Sequence, residues 1–277
     1  MQQASKPPRP SMGVLNLPEG EKKFLLTRHA PAEKLRFFVK HYWIVEWDLS
    51  GQPSYQQDVL PNPCVNMVVE HRKTAIFGVS PVKYSHLLEG KGKVFGVKFK
   101  PGGFYPFLKS PVSKLTGQSI GTLDILGIAP RQLEDNLLSL PGTEDMIRVM
   151  DTLLLGRLPN QDPNVVVLNE LIDQIISHRE LTTVKQLCQY AQMSMRTLQR
   201  AFNQYVGVSP KWVIQLYRLQ NAAELLDYGN APPLPELAAE LGYFDQSHFI
   251  RDFKAIIGIT PEEYIRRCHQ RQNLEAL

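Results

Sequence analysis

The chain has 277 residues, of which 43% are hydrophobic and 21% charged, and its 31 basic and 27 acidic residues give a net charge of +4. This length allows one large domain or two modest ones, and the composition is that of a globular protein rather than a disordered one. The apolar runs are far shorter than the roughly 20 residues needed to span a bilayer. The start, MQQASKPPRPSMG, has no apolar segment of the kind a secretory signal needs, and three widely spaced cysteines form neither a disulfide framework nor a CxxC metal site. We therefore expect a cytoplasmic protein.

The charge is unevenly distributed along the chain. Residues 1–164 carry 20 basic and 15 acidic side chains, whereas residues 165–277 carry 11 basic and 12 acidic ones. The C-terminal part therefore has no bulk basic surface, and a nucleic-acid site there must depend on where individual charges lie.

The N-terminal part is predicted to be rich in β-strands. Residues 1–20 contain four prolines and resemble a mobile tail. Between residues 42 and 99, Gly, Pro and Asn clusters separate β-branched and aromatic runs, a pattern typical of short antiparallel strands: YWIVEWDL, CVNMVVE, TAIFGV and KVFGVKF. Residues 130–140 and 143–157 have helical spacing. The sequence therefore predicts a β-rich domain over residues 21–157 that ends in two helices, then a linker at 158–164, LPNQDPN.

The C-terminal part, residues 165–271, contains an internal repeat. LCQYAQMSMRTLQRAFNQYVGVSPKWVI at 187–214 matches LAAELGYFDQSHFIRDFKAIIGITPEEYI at 237–265, with one residue inserted near Phe244 and Asp245. Each copy has a short helix, a tight turn and a second helix, which predicts helix-turn-helix units at about 183–206 and 234–257. Ser194 and Asp245 are suited to cap the second helix of each copy, and Gly242 suits the second turn.

The outward face of each second helix has a composition that suits DNA. Arg can bind guanine bidentately, Gln and Asn can bind adenine, and Ile can contact a thymine methyl group. The predicted DNA-binding residues are Arg196, Gln199, Arg200 and Asn203 in the first copy, and Gln246, Ser247, Ile250, Arg251 and Lys254 in the second. Each set alone could be the solvated face of an ordinary amphipathic helix. The recurrence of the same capping, core and exit positions in two copies favours the DNA-binding interpretation.

The segment from about 165 to 270 resembles the AraC-type transcriptional regulators. The resemblance is carried by SMRTLQRAF with GVSPKWV, by RLQNA at 218–222, and by LAAELGYFDQSHFIRDFK with GITPEEYIRR. It implies that a long central helix, about 210–226, holds the two units so that their recognition helices meet successive major grooves. It also implies an α+β chain in which a small antiparallel, cupin-like β-barrel serves as a sensory domain beside the all-α DNA-binding domain.

The function of the N-terminal part is less constrained by its sequence. Trp43, Trp47, Phe95 and Phe99 could line an effector pocket, although the sequence favours most of these aromatic residues as the core of the barrel. No residue pattern indicates a catalytic site, a metal site or a cofactor. The helix at 143–157 could serve a homodimer or pack within its own domain.

The sequence thus predicts a transcription regulator whose partners are double-stranded DNA, RNA polymerase and a small-molecule effector. Two alternatives stay open. One is a constitutive or architectural DNA-binding protein without a ligand. The other is an enzyme domain fused to a DNA-binding domain, as in repair proteins with methyl-accepting cysteines. The presence of only Cys64 in residues 1–164 argues against this last interpretation.

Overall fold

The computed structural model of the protein describes residues 13–15, 17–227 and 231–275. Most of the predicted tail, residues 1–12 and 16, lies outside the described residues. Val14, within the predicted tail, forms a β-bridge with Val59 and is buried. The tail prediction is therefore wrong at Val14. The described strands are β1 Leu25–His29, β2 Val39–Asp48, β3 Tyr55–Val59, β4 Asn66–Val69, β5 Ala75–Phe77, β6 Tyr84–Leu88, β7 Lys91–Phe99 and β8 Ser119–Ile120.

These strands form two antiparallel sheets. Six of them pair in the order β1-β2-β7-β4-β5-β8, and β3 pairs with β6 in a separate ribbon. The predicted antiparallel, β-rich domain is therefore confirmed. Among the described strands, β1 and β8 are the unpaired edges of the larger sheet, so the prediction of a closed barrel is wrong. Strand order depends on pairing between distant segments, which local patterns do not specify.

The register between β2 and β7 decides which side chains of these two strands point into the main core. Ile44 lies opposite Phe95, so Phe95 and, two pleats further, Phe99 lie on the face that packs into the main core. Trp43 and Trp47 lie on the opposite face and line a cavity. The prediction that Phe95 and Phe99 line an effector pocket is therefore wrong, because side chains of opposite parity point to opposite faces of a sheet.

Short helices complete the N-terminal domain. They are α1 Leu17–Gly20, α2 Tyr105–Leu108, α3 Leu123–Leu126, α4 Pro130–Leu138 and α5 Thr143–Leu155, with 3₁₀ turns at Glu33–Leu35 and Val112–Leu115. The apolar face of α5 is buried, because Met146, Met150 and Leu154 pack into the core beneath the sheet. These three side chains are used within their own domain. Val149 and Leu153 on the same helix are only partly buried against this core, so a dimer contact through α5 stays a prediction.

The C-terminal domain consists of helices. They are α6 Pro163–Ser177, α7 Val184–Ala191, α8 Met195–Ala201, α9 Pro210–Asp227, α10 Leu234–Glu240, α11 Gln246–Ile257 and α12 Pro261–Glu275, with a π-helical segment at Phe202–Val206. Helix α6 begins inside the predicted linker, where the Asp162 carboxylate accepts a 2.9 Å hydrogen bond from the backbone N–H of Asn164. Among the helices of the described residues, none has both the length and the apolarity that crossing a bilayer requires.

The C-terminal domain has two apolar cores, and the N-terminal domain contributes to both. The first core surrounds Leu187, Leu198 and Phe202 and includes Val79, which follows β5. The second surrounds α9, α10 and α11 and includes Leu60, which follows β3. The two halves of the chain are therefore packed together rather than merely tethered.

Candidate nucleic-acid interface

The first helix-turn-helix unit consists of α7, a turn and α8. Helix α7 begins with a capping box in which Thr183 and Gln186 satisfy each other's backbone N–H groups. The turn passes through Gln192, whose φ of 52° lies in the left-handed region where glycine is usual. The Ser194 hydroxyl then accepts a 3.2 Å hydrogen bond from the backbone N–H of Thr197 and begins α8. Local capping therefore determines where the first recognition helix starts.

The second unit consists of α10, a turn and α11. Gly242 adopts a φ of 73° in this turn, a conformation that a residue without a Cβ adopts at low cost. The Asp245 carboxylate accepts a 2.7 Å hydrogen bond from the backbone N–H of His248 and caps α11. The second recognition helix thus begins in the same way as the first.

The recognition helix α8 exposes its predicted DNA-binding residues. Leu198 and the following Phe202 are fully buried, which turns Arg196, Gln199 and Arg200 to solvent. Within the described residues, neither arginine forms an ion pair with a carboxylate. Both guanidinium groups are therefore available for a negatively charged partner.

The recognition helix α11 exposes its cations in the same way. Ser247, Arg251 and Lys254 are exposed, and the Arg251 Nε–H donates only a long 3.4 Å hydrogen bond to the backbone oxygen of Ser247. No carboxylate in the described part of the chain pairs with Arg251 or Lys254. Gln246 and Ile250 are only partly exposed, and Ile250 packs against the second apolar core. Ile250 therefore presents only part of its side chain to a partner.

The structure places Asn203 differently from the other predicted residues. It lies in the π-helical segment Phe202–Val206 rather than in α8, and its Oδ1 accepts a 3.0 Å hydrogen bond from the hydroxyl of Ser113 in the N-terminal domain. π-Helical turns within helices are rare and occur frequently at functional sites. Here the π-helical segment follows α8 and contacts the N-terminal domain through Asn203.

The connecting helix α9 holds the second unit through a buried cation. The Arg218 guanidinium lies 4.2 Å from the centre of the Tyr243 ring, just before α11. Its Nε and Nη2 atoms are buried without hydrogen-bond partners, and burial lowers the pKa of Arg218. A cation–π contact therefore helps to set the position of the second recognition helix relative to α9.

Sequence analysis did not identify Phe244 as a candidate site residue. Its side chain is 99% exposed and lies in the turn directly before the cap of α11. The one-residue insertion in the second repeat was the available signal, because it changes only this turn. An aromatic side chain so exposed beside a recognition helix is a candidate contact for an apolar partner group such as a thymine methyl.

The N-terminal domain contains a second candidate site, the cavity lined by Trp43 and Trp47. Its volume is about 810 Å³, within the range of small-molecule binding pockets. In the described residues, no three His, Cys, Asp or Glu side chains gather as ligands for a metal ion.

Two family models match the chain. A model described as a helix-turn-helix domain matches residues 187–267, which include both units. A model described as a domain of unknown function matches residues 27–121, which include all of the larger sheet except the first two residues of β1.

Several curated relatives are transcriptional regulators. An uncharacterized HTH-type transcriptional regulator of Haemophilus influenzae is 36% identical over 81 residues, which make up 29% of this chain and 27% of that protein. The F1 operon positive regulatory protein of Yersinia pestis is 34% identical over 101 residues, 36% of this chain and 33% of that protein. The chain thus spans about a third or less of the length of these two relatives.

Solved structures are similar to this chain at lower sequence identity than these relatives. A transcriptional regulator of Chromobacterium violaceum with an AraC-type DNA-binding domain is 26% identical, with 38% of this chain and 94% of that chain covered and a TM-score of 0.34. ToxT of Vibrio cholerae is 14% identical, with 88% and 97% covered and a TM-score of 0.33.

The capped helices, their turns and the family match define the C-terminal domain as a double helix-turn-helix domain. Residues 187–267 belong to the AraC-type helix-turn-helix family, so the recognition made from the sequence motifs is confirmed.

Proposed function

We propose that this protein is a sequence-specific, DNA-binding transcription regulator in which α8 and α11 read adjacent major grooves. One observation carries the proposal. Each recognition helix begins at a side-chain cap and presents exposed cationic side chains that have no acidic partner among the described residues. Such side chains can form charge-assisted hydrogen bonds with DNA without first breaking an internal ion pair.

The roles of individual residues follow from their chemistry. Arg200 and Arg251 read guanine through paired hydrogen bonds to O6 and N7, and Gln199 reads adenine through N6 and N7. Arg196 and Lys254 add contacts to bases or phosphates along the same helices. Gln246 and Ser247 lie in the first turn of α11, which enters the groove first in helix-turn-helix complexes. Ile250 contributes its exposed part to a thymine methyl.

The length of α9 supports the proposed spacing. The helix has 18 residues and therefore rises about 27 Å. Two recognition helices on one face of DNA must be centred about 34 Å apart, one helical turn. The width of the flanking units accounts for the difference, and a slight bend in the DNA would cost only a few kcal/mol.

The N-terminal domain is the regulatory half in this proposal, with a small molecule as effector and RNA polymerase as a further partner. The alternative of an enzyme domain with a nucleophilic cysteine has little support. Cys64 is buried, and burial raises the pKa of its thiol, which opposes formation of the reactive thiolate. The proposal does not require a homodimer through α5. The buried side chains of this helix, Met146, Met150 and Leu154, pack within their own domain.

The experiment is selection of binding sites from random duplex DNA by the full chain, followed by footprinting on the selected sequence. We expect protection of two major-groove segments whose centres lie about 10 base pairs apart. Protection of a single segment would mean that one of the two units is structural. No enrichment of any sequence would overturn the proposal of a sequence-specific regulator.

A further inference from the structure

The cavity of the N-terminal domain lies on the face of the larger sheet that points away from the main core. Its walls come from β1, β2, β4 and β7 on one side and from the β3–β6 ribbon on the other. None of the residues proposed to contact DNA lines it. DNA binding therefore does not account for the residues that line this cavity.

Two indole rings, those of Trp43 and Trp47, line this cavity. Trp43 lies across Gly96, and Trp47 lies across Gly92, on the neighbouring strand β7. A Cβ atom at either glycine would overlap the indole, so the absence of side chains lets both rings lie against the strand. The Trp47 Nε1–H donates a 3.1 Å hydrogen bond to the backbone oxygen of Glu89, which fixes the orientation of that ring. Each ring by itself offers a stacking surface for a planar group.

A cluster of cationic side chains lies on the same face. Lys98 is paired across the sheet with His41, and Arg28 is paired with Trp43. Within the described residues, no carboxylate pairs with Arg28 or Lys98. Glu70, the acidic residue that lines the cavity, contacts Lys73 and His86 instead.

The charges in this cluster destabilise one another. Burial lowers the pKa of Lys98, and the nearby Lys40 and Arg28 lower it further. Burial also lowers the pKa of Arg28. Partly buried cations without an acidic partner are costly, and an anion placed between them would relieve that cost.

Two buried side-chain oxygens of the lining also lack hydrogen-bond partners. The side-chain oxygens of Gln57 and Asn62 accept no hydrogen bond in the structure. Both are acceptors, so a hydroxyl or amino group on a bound molecule would satisfy them, whereas a carboxylate would not. Unpartnered polar groups beside an apolar surface are the features that orient a small ligand.

We propose that this cavity binds a small aromatic carboxylate, with the carboxylate held by Arg28 and Lys98 and the ring stacked on Trp43, the indole paired across the sheet with Arg28. The assignment of this ligand class depends on the lining alone and does not require that the protein binds DNA.

The position of the cavity also connects it to the C-terminal domain, and this step rests on the proposed function. The segment Leu60–Asn62 lines the cavity, and the backbone oxygen of Pro61 accepts a 3.2 Å hydrogen bond from Nε2 of Gln220 in α9. The segment Gly117–Ser119 also lines it and follows Thr116, whose hydroxyl donates a 2.6 Å hydrogen bond to the backbone oxygen of Gly207. A ligand that shifts either segment would alter the position of the helix-turn-helix units.

The binding test is calorimetric titration of the full chain with 2-naphthoate as the probe. Neutral 2-naphthamide keeps the ring but removes the charge, decanoate keeps the carboxylate but removes the ring, and inorganic phosphate is a bare anion. We expect 2-naphthoate to bind at least about tenfold more tightly than each of these, because the amide lacks the charge, and decanoate and phosphate lack the ring. Equal affinity for the amide would overturn the ionic part of the proposal, and equal affinity for decanoate or phosphate would overturn the aromatic part.

Variants separate a binding role from a structural one. Lys98→Met and Arg28→Gln should each weaken 2-naphthoate binding at least about tenfold, whereas the matched control Lys91→Met, an exposed lysine on the same strand, should not. In the free protein, Lys98→Met should raise the midpoint of thermal unfolding, because it removes an uncompensated charge. A Lys98→Met variant that is destabilised and still binds the probe would show that Lys98 is structural and would overturn the proposal.

A second measurement tests the regulatory step. The affinity of the full chain for its selected DNA should change in the presence of saturating 2-naphthoate, and this change should be absent in Lys98→Met. If the probe binds but DNA affinity is unchanged, the ligand class stands and the regulatory step fails. If no DNA sequence is ever selected, the proposed function fails while the calorimetric result is unaffected.

Discussion

The hydroxyl of Ser113 donates a 3.0 Å hydrogen bond to Oδ1 of Asn203, and this bond joins the N-terminal domain to the end of the first recognition helix. A second hydrogen bond and a ring contact lie beside it. Gln204 Nε2 donates to the hydroxyl of Tyr105 at 2.7 Å, and the Tyr105 and Tyr205 rings are 4.2 Å apart. The N-terminal domain therefore contacts the same π-helical segment that carries a predicted DNA-binding residue.

This relationship gives a direct test of Asn203. If Asn203 reads DNA, Ser113→Ala should increase DNA affinity by severalfold, because the amide no longer has to leave a protein partner, and Asn203→Ala should decrease it. Fluorescence anisotropy with the selected DNA measures both, and the double variant gives the coupling between the two residues. Equal losses of stability in both variants, with DNA affinity unchanged, would assign Asn203 to the domain contact instead.

The two arginines in equivalent positions of the repeat should carry sequence specificity. Arg200→Ala and Arg251→Ala should each weaken binding to the selected site by about 1–3 kcal/mol and change binding to random duplex much less, because a bidentate contact to guanine is lost. Competition assays with both DNAs measure the difference. Arg148→Ala, an exposed arginine in α5, is the control. Losses of equal size on both DNAs would mean that these arginines contact phosphates.

The cap of α6 should stabilise the C-terminal domain when this domain is expressed as a separate fragment. Asp162 accepts hydrogen bonds from Asn164 and from the hydroxyl of Tyr205, the latter at 2.7 Å. In a fragment of residues 159–277, Asp162→Ala should lower the free energy of unfolding by about 1–2 kcal/mol, and Asn160→Ala should leave it nearly unchanged. Urea unfolding followed by circular dichroism measures both. A fragment that is unfolded even with Asp162 would show that Val79 and Leu60 are essential parts of the two cores.

The local features of the fold could be predicted from the sequence, and the non-local ones could not. Ser194 and Asp245 cap helices because a cap needs only a side chain and the backbone N–H groups that follow it. In contrast, the cationic cluster depends on the pairing of His41 with Lys98, which are far apart in the chain. The same register decides that Trp43 faces the cavity and Phe95 the core. The sequence suggested that aromatic residues line a pocket. Which of them do so depends on the strand pairing, which the sequence does not specify.

Phe244 should contribute to DNA binding without contributing to stability. Its side chain is 99% exposed, so Phe244→Ala removes almost no buried surface and should change the free energy of unfolding by less than about 0.5 kcal/mol. Loss of an apolar contact beside α11 should weaken binding to the selected DNA by severalfold. Anisotropy and thermal unfolding of the same variant test both statements. Unchanged affinity would indicate that Phe244 meets a different partner.

The pH dependence of stability should contain a contribution from His41. Burial, with smaller contributions from Lys98, Arg28 and Lys40, lowers the pKa of His41 from 6.5 to about 4. The unfolded chain therefore binds a proton near pH 6.5 while the folded protein stays neutral at this residue down to about pH 4. The stability associated with neutral His41 is fully present above pH 6.5, is lost as the pH falls from 6.5 toward 4, and then stays constant.

Comparison of the wild-type protein with His41→Asn isolates this contribution, because the carboxylates that titrate in the same range are common to both chains. We expect the wild-type protein to lose more stability between pH 7 and pH 4.5 than the variant. The difference should be at most about 1.4 kcal/mol per pH unit and smaller in practice, because the imidazole is partly exposed to solvent. Urea unfolding at four pH values measures it. Parallel curves for the two proteins would mean that His41 titrates alike in the folded and unfolded chains, and the cavity would then be more hydrated around His41 than its burial indicates.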